Sequence, residues 1–215
     1  MPNLYYYEAL KRGQKEFRSC TARGESPYLP VLSEFVGKEQ LGHTTNLGTI
    51  LIPLEFVVGT KSLGRTQSFS RSFMPLMGAN TEFAGKWQRL CQAHLEEGIW
   101  DPIKVWEYRN RFYVEEGHKR VSVLKYFGAI TIPATVTRLL PKPSDDPEVA
   151  AYYEFLDFYK MTGLNFIVFR QPGEYPELLE ALGRSDSDAW SAEDIYSFRA
   201  FFYMFRDAYL RGDWD

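Results

Sequence analysis

The sequence predicts an α+β fold, in which a mixed β-sheet has helices on its flanks and further helices at both ends of the chain. Two observations predict it. Segments rich in β-branched and aromatic residues alternate with helical segments through the middle of the chain, whereas both ends are mainly helical in pattern. In addition, one strand leads through a glycine turn straight into a helix near residue 117. Hydrophobic residues make up 45% and charged residues 25% of the chain, which is typical of a globular protein.

The first element is a predicted helix over residues 4–23, which Gly24 ends. Its apolar side chains recur at helical spacing, at Leu10, Phe17 and Cys20. Together with the proline-containing turn that follows, this helix is predicted to form an N-terminal helical arm, residues 1–45.

The central segment, residues 46–140, is predicted to contain the sheet and the candidate site. Its predicted strands are 47–58, which Pro53 limits to an edge or a break, Ile103–Tyr108, 112–115 and 131–138. Its predicted helices are 81–97 and 118–127, each followed by a glycine. Residues 59–72 form a loop rich in Gly, Ser and Thr, which is long enough to be functional.

Residues 141–215 are predicted to form a separate, mainly helical extension. Two prolines and a Ser-Asp-Asp run at 141–146 mark the boundary. The predicted elements are helices at 149–160, 174–182 and 191–211 and a strand at 165–169. The last helix has an aromatic stripe, for which packing or docking is the expected role. Its members are Phe198, Phe201, Phe202, Phe205 and Tyr209.

The charge, −3 overall, is unevenly divided along the chain. Residues 1–140 contain 18 Lys and Arg against 13 Asp and Glu, whereas residues 141–215 contain 7 against 15. The acidic second part argues against a protein that binds nucleic acid over its whole surface. It leaves room for a local basic site in the first part.

Membrane and metal functions find little support in the sequence. No apolar run approaches the ~20 residues that span a bilayer, and the first 23 residues lack the apolar core of a signal peptide. We therefore expect a cytoplasmic protein with no membrane partner. The two cysteines, Cys20 and Cys91, are expected to be free thiols, and no cysteine–histidine pattern suggests zinc.

The strongest local signal is the run Glu116-Gly117-His118-Lys119-Arg120, where a strand turns into a helix. The first N–H groups of a helix lack intrahelical partners, and the helix dipole places partial positive charge there. Gly117 would let a phosphate approach the backbone closely. Cations in the first turn are otherwise unfavourable, so a bound phosphate would explain them. The alternative is that His118, Lys119 and Arg120 are solvated side chains on an amphipathic helix.

Segment 47–138 resembles the ParB N-terminal/sulfiredoxin superfamily in its order of elements. The shared features begin with an apolar strand near 50–58, a loop with an arginine (Arg65) and a helix that ends in a glycine. They continue with a Gly-Ile-Trp-Asp-Pro-Ile strand entry at 98–103, a hairpin, a Gly-x-x-Arg turn and a strand containing Ile132-Pro133.

This resemblance implies a nucleotide, ATP or CTP, at the turn, with Mg²⁺ as a possible companion. The phosphate contacts it implies come from Gly117, His118, Lys119, Arg120, Arg65 and Thr66. ParB proteins have Gly-Glu-Arg-Arg there and use CTP, whereas sulfiredoxins have Gly-Cys-His-Arg and need that cysteine. His118 stands in place of the cysteine, which disfavours sulfiredoxin chemistry. The free-serine kinases of the superfamily have Asp-Gly-His-His-Arg, so Glu116 is the expected catalytic base or magnesium ligand.

Three functions stay open at this point. They are a nucleotide-binding regulatory or sensor module, a small-molecule kinase, phosphotransferase or NTPase that uses Mg²⁺ and Glu116, and a ParB-type DNA-associated partitioning or transcription protein. DNA binding is disfavoured because residues 141–215 are acidic, unlike a basic helix-turn-helix domain. The whole chain also resembles a bacterial unit that precedes a substrate-binding module of the BMP (basic membrane protein) lipoprotein type. The expected partners are therefore the nucleotide and either a second copy or an associated binding-protein domain.

Overall fold

The computed structural model describes residues 2–37, 41–186 and 188–212. The chain forms two compact units, Met1–Lys142 and Pro143–Asp215. The division falls within the Pro-Lys-Pro run at residues 141–143. Among the described residues, no helix is both long enough and apolar enough to cross a bilayer.

The first unit alternates helices and strands. In chain order its elements are α1 (Pro2–Ala22), α2 (Leu32–Phe35), β1 (Leu41–Pro53), β2 (Val57–Thr60), α3 (Glu82–Glu96), β3 (Ile103–Tyr108), β4 (Arg111–Glu116), α4 (His118–Tyr126) and β5 (Thr131–Pro141). Short 3₁₀ helices at Leu54–Phe56 and Leu63–Ser68 lie in the connections. β1 is an edge strand of the sheet and ends at Pro53, where the sequence predicts an edge or a break, because proline has no N–H group for the strand ladder.

The strands form a single mixed sheet with the order β1-β5-β3-β4-β2. β1 pairs with β5 and β3 pairs with β4 in antiparallel fashion, whereas β3 with β5 and β2 with β4 are parallel. The β3–β4 hairpin turns at Arg109 and Asn110, whose φ values of 51° and 61° suit a two-residue hairpin. The predicted α+β architecture, a mixed sheet with flanking helices, is confirmed.

The main core of the first unit lies on the sheet and extends to α4. Alternate side chains of the central strands are buried, and α4 adds Val121 and Leu124 to them. The strand residues of this cluster include Ile103, Val105, Val114, Ile132, Ala134 and Val136. Burying a large aliphatic side chain contributes roughly 1.5–3 kcal/mol, so this cluster fixes α4 firmly against the sheet.

The helix of the predicted N-terminal arm also belongs to the first unit's core. Tyr6 and Ala9 of α1 are fully buried, and the Tyr6 ring packs edge-on against Trp87 of α3 with 5.4 Å between centroids. Val123 and Tyr126 of α4 belong to the same cluster. α4 is therefore packed on one side by the sheet and on another by helices α1 and α3.

The second unit is helical over its described residues. It contains α5 (Pro147–Thr162), α6 (Glu174–Ala181) and α7 (Ala192–Arg211). The start of α5 is capped by the Asp146 side chain, which accepts the Glu148 N–H at 3.0 Å, and Gly163 ends the helix in a left-handed conformation. The strand predicted at 165–169 is wrong, because Phe166 and Ile167 are buried without any strand to pair with among residues 143–186 and 188–212.

The aromatic stripe of α7 is divided between two environments. Phe198 and Phe202 are partly buried, and they pack on rings within the second unit. The other three members, Phe201, Phe205 and Tyr209, are exposed. The spacing in the sequence identifies the helix, but it does not show which of the rings are covered.

Candidate functional site

The candidate site is the turn between β4 and α4. Gly117 is the N-cap residue of α4, and its backbone is left-handed, with φ 104° and ψ 15°. Glycine adopts this conformation without the steric cost that a Cβ atom brings. A Cβ atom here would also lie 2.4 Å from Cγ2 of Ile103, which is fully buried in β3. Conformation and space therefore both require glycine at this turn.

The N-terminus of α4 has no side-chain cap. Its first intrahelical hydrogen bond runs from the N–H of Val121 to the carbonyl of Gly117, at 3.1 Å. The N–H groups of His118, Lys119 and Arg120 therefore have no acceptor within the helix. The first turn also contains no acidic residue to complement the helix dipole. An anion would satisfy both the unpaired N–H groups and the dipole.

Two cations lie near each other at this helix end. The Nζ of Lys119 is 4.7 Å from the centroid of the Phe83 ring. Burial lowers the pKa of Lys119, and the positive charges of Arg65 and Lys86 lower it further. Arg65 is exposed, and within the described part of the chain it makes no ion pair. Since like charges repel, an anion bound between Lys119 and Arg65 would be stabilising.

The imidazole of His118 faces the interior. Its Nε2 is 2.9 Å from Oγ1 of Thr60, and its ring stacks on Phe69 with 6.1 Å between centroids. Burial, followed by the charges of Arg65 and Lys119, lowers the pKa of His118 to about 4, so the ring is neutral at pH 7. The ring anchors the first turn of α4 to β2. The His118 side chain therefore does not face the candidate phosphate site, and only its backbone N–H group could contact a phosphate.

The lowered pKa of His118 predicts a specific loss of stability in acid. Between its ordinary pKa of 6.5 and about 4, the unfolded chain binds more protons at this position than the folded chain does. The contribution of His118 to stability is therefore full above about pH 6.5, falls by up to about 1.4 kcal/mol per pH unit between there and about pH 4, and changes no further below that. Urea denaturation at pH 7 and pH 5 should show a larger loss for the wild type than for His118→Asn. Equal losses in the two proteins would contradict this account.

Arg120 is committed to the structure of the turn. Its Nη1 donates to the carbonyls of Asp101 and Pro102, both at 2.9 Å, and its Nη2 lies 3.8 Å from Oε1 of Glu116. These contacts join the start of α4 to the segment that enters β3. Arg120 therefore has a clear role in shaping the turn. Its contact with a phosphate stays a prediction.

The carboxylate of Glu116 is held by cations. Its Oε2 lies 2.8 Å from Nζ of Lys104, and Arg120 lies on its other side. The bond to Lys104 and its charge, with a smaller effect of Arg120, lower the pKa of Glu116 below its ordinary value. A carboxylate with a lowered pKa is a weak base near neutral pH. A catalytic role for Glu116 therefore gains no support from its surroundings.

The described residues near Glu116 do not form a protein-held magnesium site. No group of three or more His, Cys, Asp or Glu side chains converges anywhere in the described chain. The neighbouring Glu115 points elsewhere, since its Oε1 lies 2.7 Å from Nζ of Lys61 and its Oε2 accepts from Nε1 of Trp106 at 3.0 Å. Mg²⁺ would need the oxygens of a bound ligand to complete its coordination here.

The loop over residues 59–72 is fastened beside α4 at its beginning. Thr60 bonds to His118, and the loop then forms the 3₁₀ helix Leu63–Ser68, which contains Arg65 and Thr66. The Oγ1 of Thr66 donates to the carbonyl of Leu63 at 2.8 Å. Its hydroxyl hydrogen is therefore used inside the turn, and a phosphate contact from Thr66 stays a prediction.

Sequence reasoning missed the residues that hold the turn in place. Thr60 and Phe69 fix the His118 ring, and the carbonyls of Asp101 and Pro102 fix Arg120. These partners lie 18 to 58 positions away along the chain. The Gly-Ile-Trp-Asp-Pro pattern before β3 was the one signal that marked part of this set.

A separate cleft of about 790 Å³ lies beside α1. It is lined by Arg12, Lys15, Glu16, Ser19, Cys20, Arg23, Glu25 and Arg71. The positive charge of this cleft is partly neutralised by one of its own lining residues, because Glu25 pairs with Arg23 at 3.0 Å and with Arg71 at 3.6 Å. The uncapped helix end at Gly117 is therefore the stronger candidate for an anion site.

Comparisons with known proteins bear on the fold. No protein-family model and no curated protein sequence matches this chain. Among solved structures, it is similar to sulfiredoxin from Arabidopsis thaliana, with a TM-score of 0.29 and 22% identity over 41% of this chain and 82% of that one. It is also similar to the C-terminally truncated chromosome-partitioning protein ParB from Caulobacter crescentus complexed with CTP-gamma-S, with a TM-score of 0.30 and 16% identity over 65% of this chain and 73% of that one. The likeness concerns the fold alone.

Proposed function

We propose that this protein binds a nucleotide of the ATP or CTP class through its phosphates at the N-terminus of α4, and that it acts as a regulatory or sensor module. The observation that carries the proposal is the uncapped helix end itself. Three N–H groups that have no acceptor within the helix follow a left-handed glycine, and two mutually repelling cations, Lys119 and Arg65, lie beside them.

The number of donors favours a ligand with more than one negative charge. A single carboxylate has two oxygens, whereas a polyphosphate chain can accept from several N–H groups and pair with two cations at once. Lys119 suits a phosphate as a compact point charge, and Arg65 offers a planar fork of donors. A bound polyphosphate would also remove the repulsion between them, so its binding is expected to raise the pKa of Lys119.

Sensing fits the geometry better than phosphoryl transfer does. A phosphotransferase needs a positioned base and metal ligands, whereas a sensor needs only affinity. Glu116 is paired with Lys104 and Arg120, and among the described residues it belongs to no group of three or more His, Cys, Asp or Glu side chains that could hold a metal ion. Mg²⁺ would therefore arrive with the nucleotide, held mainly by phosphate oxygens. The acidic second unit gives no support to DNA binding, so that alternative is not proposed.

Ligand binding would act on the 59–72 loop. Arg65 lies on this loop and Lys119 lies on α4, so a phosphate between them would draw the two elements together. Such a contact would change the position of the loop without any covalent step. The loop would then act as a switch that responds to a bound phosphate. The proposed output of the sensor is therefore the conformation of this loop.

Lys119→Ala is expected to weaken nucleotide binding about 10- to 100-fold, because it removes a charge-assisted contact worth roughly 1.5–3 kcal/mol. Titration calorimetry with ATP, ADP, CTP and GTP measures this and identifies the base. The CTP analogue in the matched ParB structure is that protein's ligand, and it is a reason to include CTP here. Arg65→Ala is expected to have an effect of similar size.

The matched control is Lys11→Ala, which removes an exposed lysine of α1 and should leave affinity unchanged. If the wild type binds none of the four nucleotides, the proposed function is wrong. If Lys119→Ala binds as tightly as the wild type, the nucleotide binds elsewhere and the site assignment is wrong.

A further inference from the structure

The cleft beside α1 is built on one face of that helix. Gly13 allows α1 to pack directly on the chain after the 59–72 loop, because a Cβ atom there would clash with the carbonyl oxygen of Pro75. The residues of α1 that line the cleft recur at intervals of three and four positions, which places them on a single face. They are Arg12, Lys15, Glu16, Ser19, Cys20 and Arg23. Glu25 and Arg71 complete the lining.

The lining has more positive than negative side chains. Four of its side chains are cationic and two are carboxylates, so the cleft has an excess of two positive charges near neutral pH. Arg23 and Arg71 share the carboxylate of Glu25. The other two cations, Arg12 and Lys15, form no ion pair with any residue that the structure describes. The excess charge is therefore concentrated at the Arg12 end of the cleft.

The guanidinium of Arg12 is held in position without being neutralised. Its central carbon lies 4.7 Å from the centroid of the Tyr126 ring, and its Nη1 lies 3.5 Å from the carbonyl oxygen of Tyr126. Its Nε and Nη2 have no acceptor in the described part of the chain. A planar fork that is already oriented loses less side-chain entropy when it binds an anion. Arg12 is thus preorganised to bind a negatively charged group.

Two further donors lie beside Arg12 on the same face of α1. Lys15 follows Arg12 by three positions and Ser19 follows Lys15 by four, so the three are neighbours on the helix surface. The ammonium of Lys15 has no hydrogen-bond partner among the residues described. The hydroxyl oxygen of Ser19 accepts from Nη1 of Arg23 at 2.6 Å, which leaves its hydrogen to donate. A guanidinium, an ammonium and a hydroxyl group therefore lie together with donors to spare.

The carboxylate on this part of the face is directed elsewhere. The Oε2 of Glu16 accepts the N–H of Ser72 at 3.1 Å and the hydroxyl of Ser72 at 2.6 Å. Glu16 therefore ties α1 to the end of the 59–72 loop. It does not pair with Arg12 or Lys15, so both cations keep their charge for a ligand.

The charge and number of these donors suit a phosphate monoester. Such a group carries about −1.5 to −2 charge near pH 7, which matches the excess in the cleft. Its three terminal oxygens can accept from three different groups at once, whereas a carboxylate offers two oxygens. The three donors are those of Arg12, Lys15 and Ser19.

The size of the cleft and its other end suit a hydroxylated organic part. The volume of about 790 Å³ is far more than a phosphate ion needs, and it lies within the roughly 300–1,000 Å³ of small-molecule sites. Arg23, which follows Arg12 by eleven positions, lies about 16 Å further along the helix. The carboxylate of Glu25, bound to Arg23 at 3.0 Å, retains lone pairs that can accept from hydroxyl groups.

We propose that the cleft beside α1 binds a small phosphorylated sugar or polyol. Its phosphate would lie at Arg12, Lys15 and Ser19, and its hydroxyl groups would point toward Glu25. This site shares no lining residue with the helix end at Gly117, so the two sites can be tested independently.

Titration calorimetry of the full chain with glucose 6-phosphate, glucose and inorganic phosphate tests the proposal. Glucose 6-phosphate is expected to bind most tightly, inorganic phosphate more weakly, and glucose without measurable heat. Lys15→Ala is expected to weaken glucose 6-phosphate binding about 10-fold or more, because it removes a charge-assisted contact. The Lys15 side chain is exposed and has no partner among the described residues, so this change leaves the fold intact, as far-UV circular dichroism should show.

Two control variants locate the binding. Lys11→Ala removes an exposed lysine of α1 that does not line the cleft, and Lys119→Ala alters the proposed nucleotide site. Both are expected to leave glucose 6-phosphate binding unchanged. A wild type that binds neither glucose 6-phosphate nor inorganic phosphate would overturn the proposal, and so would equal affinities of Lys15→Ala and the wild type. A loss in Lys119→Ala alone would place the phosphate at α4 instead. Equal affinities for inorganic phosphate and glucose 6-phosphate would overturn the assignment of a sugar or polyol.

Discussion

Gly117→Ala is expected to abolish phosphate binding and to lower the free energy of unfolding by roughly 2–5 kcal/mol. Alanine would have to adopt the left-handed conformation of this position, φ 104°, which is unfavourable for a residue with a Cβ atom. It would also lie 2.4 Å from Cγ2 and 2.9 Å from Cβ of the buried Ile103, so β3 or the turn would have to move. Any such movement displaces the first N–H groups of α4, because the turn positions them. Urea denaturation and titration calorimetry measure the two effects separately.

Gly128→Ala is the matched control. Gly128 also has a positive φ, 73°, but a Cβ atom there meets nothing within 4 Å. We expect a cost of about 1–2 kcal/mol from the backbone alone and unchanged nucleotide binding. Equal costs at the two positions would show that Ile103 moves freely and that the steric account is wrong. Unchanged binding by Gly117→Ala would remove the turn from the proposed site.

Glu107→Ala is expected to destabilise the first unit by about 3–5 kcal/mol, because it leaves Arg138 charged and buried without its partner. The two side chains are 1% and 9% exposed, and Oε2 of Glu107 lies 2.5 Å from Nε of Arg138. The other oxygen, Oε1, accepts the N–H of Asn110 at 2.7 Å in the β3–β4 turn. This carboxylate thus joins β3, β5 and the hairpin turn. Urea denaturation followed by far-UV circular dichroism measures the loss.

Two further variants test whether the loss comes from the unpaired, buried arginine. Glu115→Ala removes an ion pair of similar length, 2.7 Å to Lys61, but on the surface, where we expect a loss below about 1 kcal/mol. The double variant Glu107→Met/Arg138→Leu removes both buried charges and is expected to recover most of the stability lost by Glu107→Ala. If the double variant is as unstable as Glu107→Ala, the loss does not come from an unpaired buried arginine.

Most elements of the fold could be predicted from local sequence. The hairpin at Arg109 and Asn110, the break at Pro53 and the helix ends at glycines follow from backbone preferences of residues that are neighbours in the chain. The strand expected at 165–169 is the exception. Apolar composition predicts burial well, but a strand also needs a partner strand, and local sequence does not show whether one is present.

The sequence by itself determined the strand, the left-handed glycine and the unpaired helix N-terminus of the candidate site, since these depend on a few consecutive residues. The tertiary structure decided what each side chain does there. It turns the ring of His118 inward to Thr60. It also places the Arg120 guanidinium where it donates to the carbonyls before β3, and it pairs Glu116 with Lys104. These partners are distant in sequence. Their contacts depend on how the sheet brings separate segments together, and spacing along the chain does not contain that information.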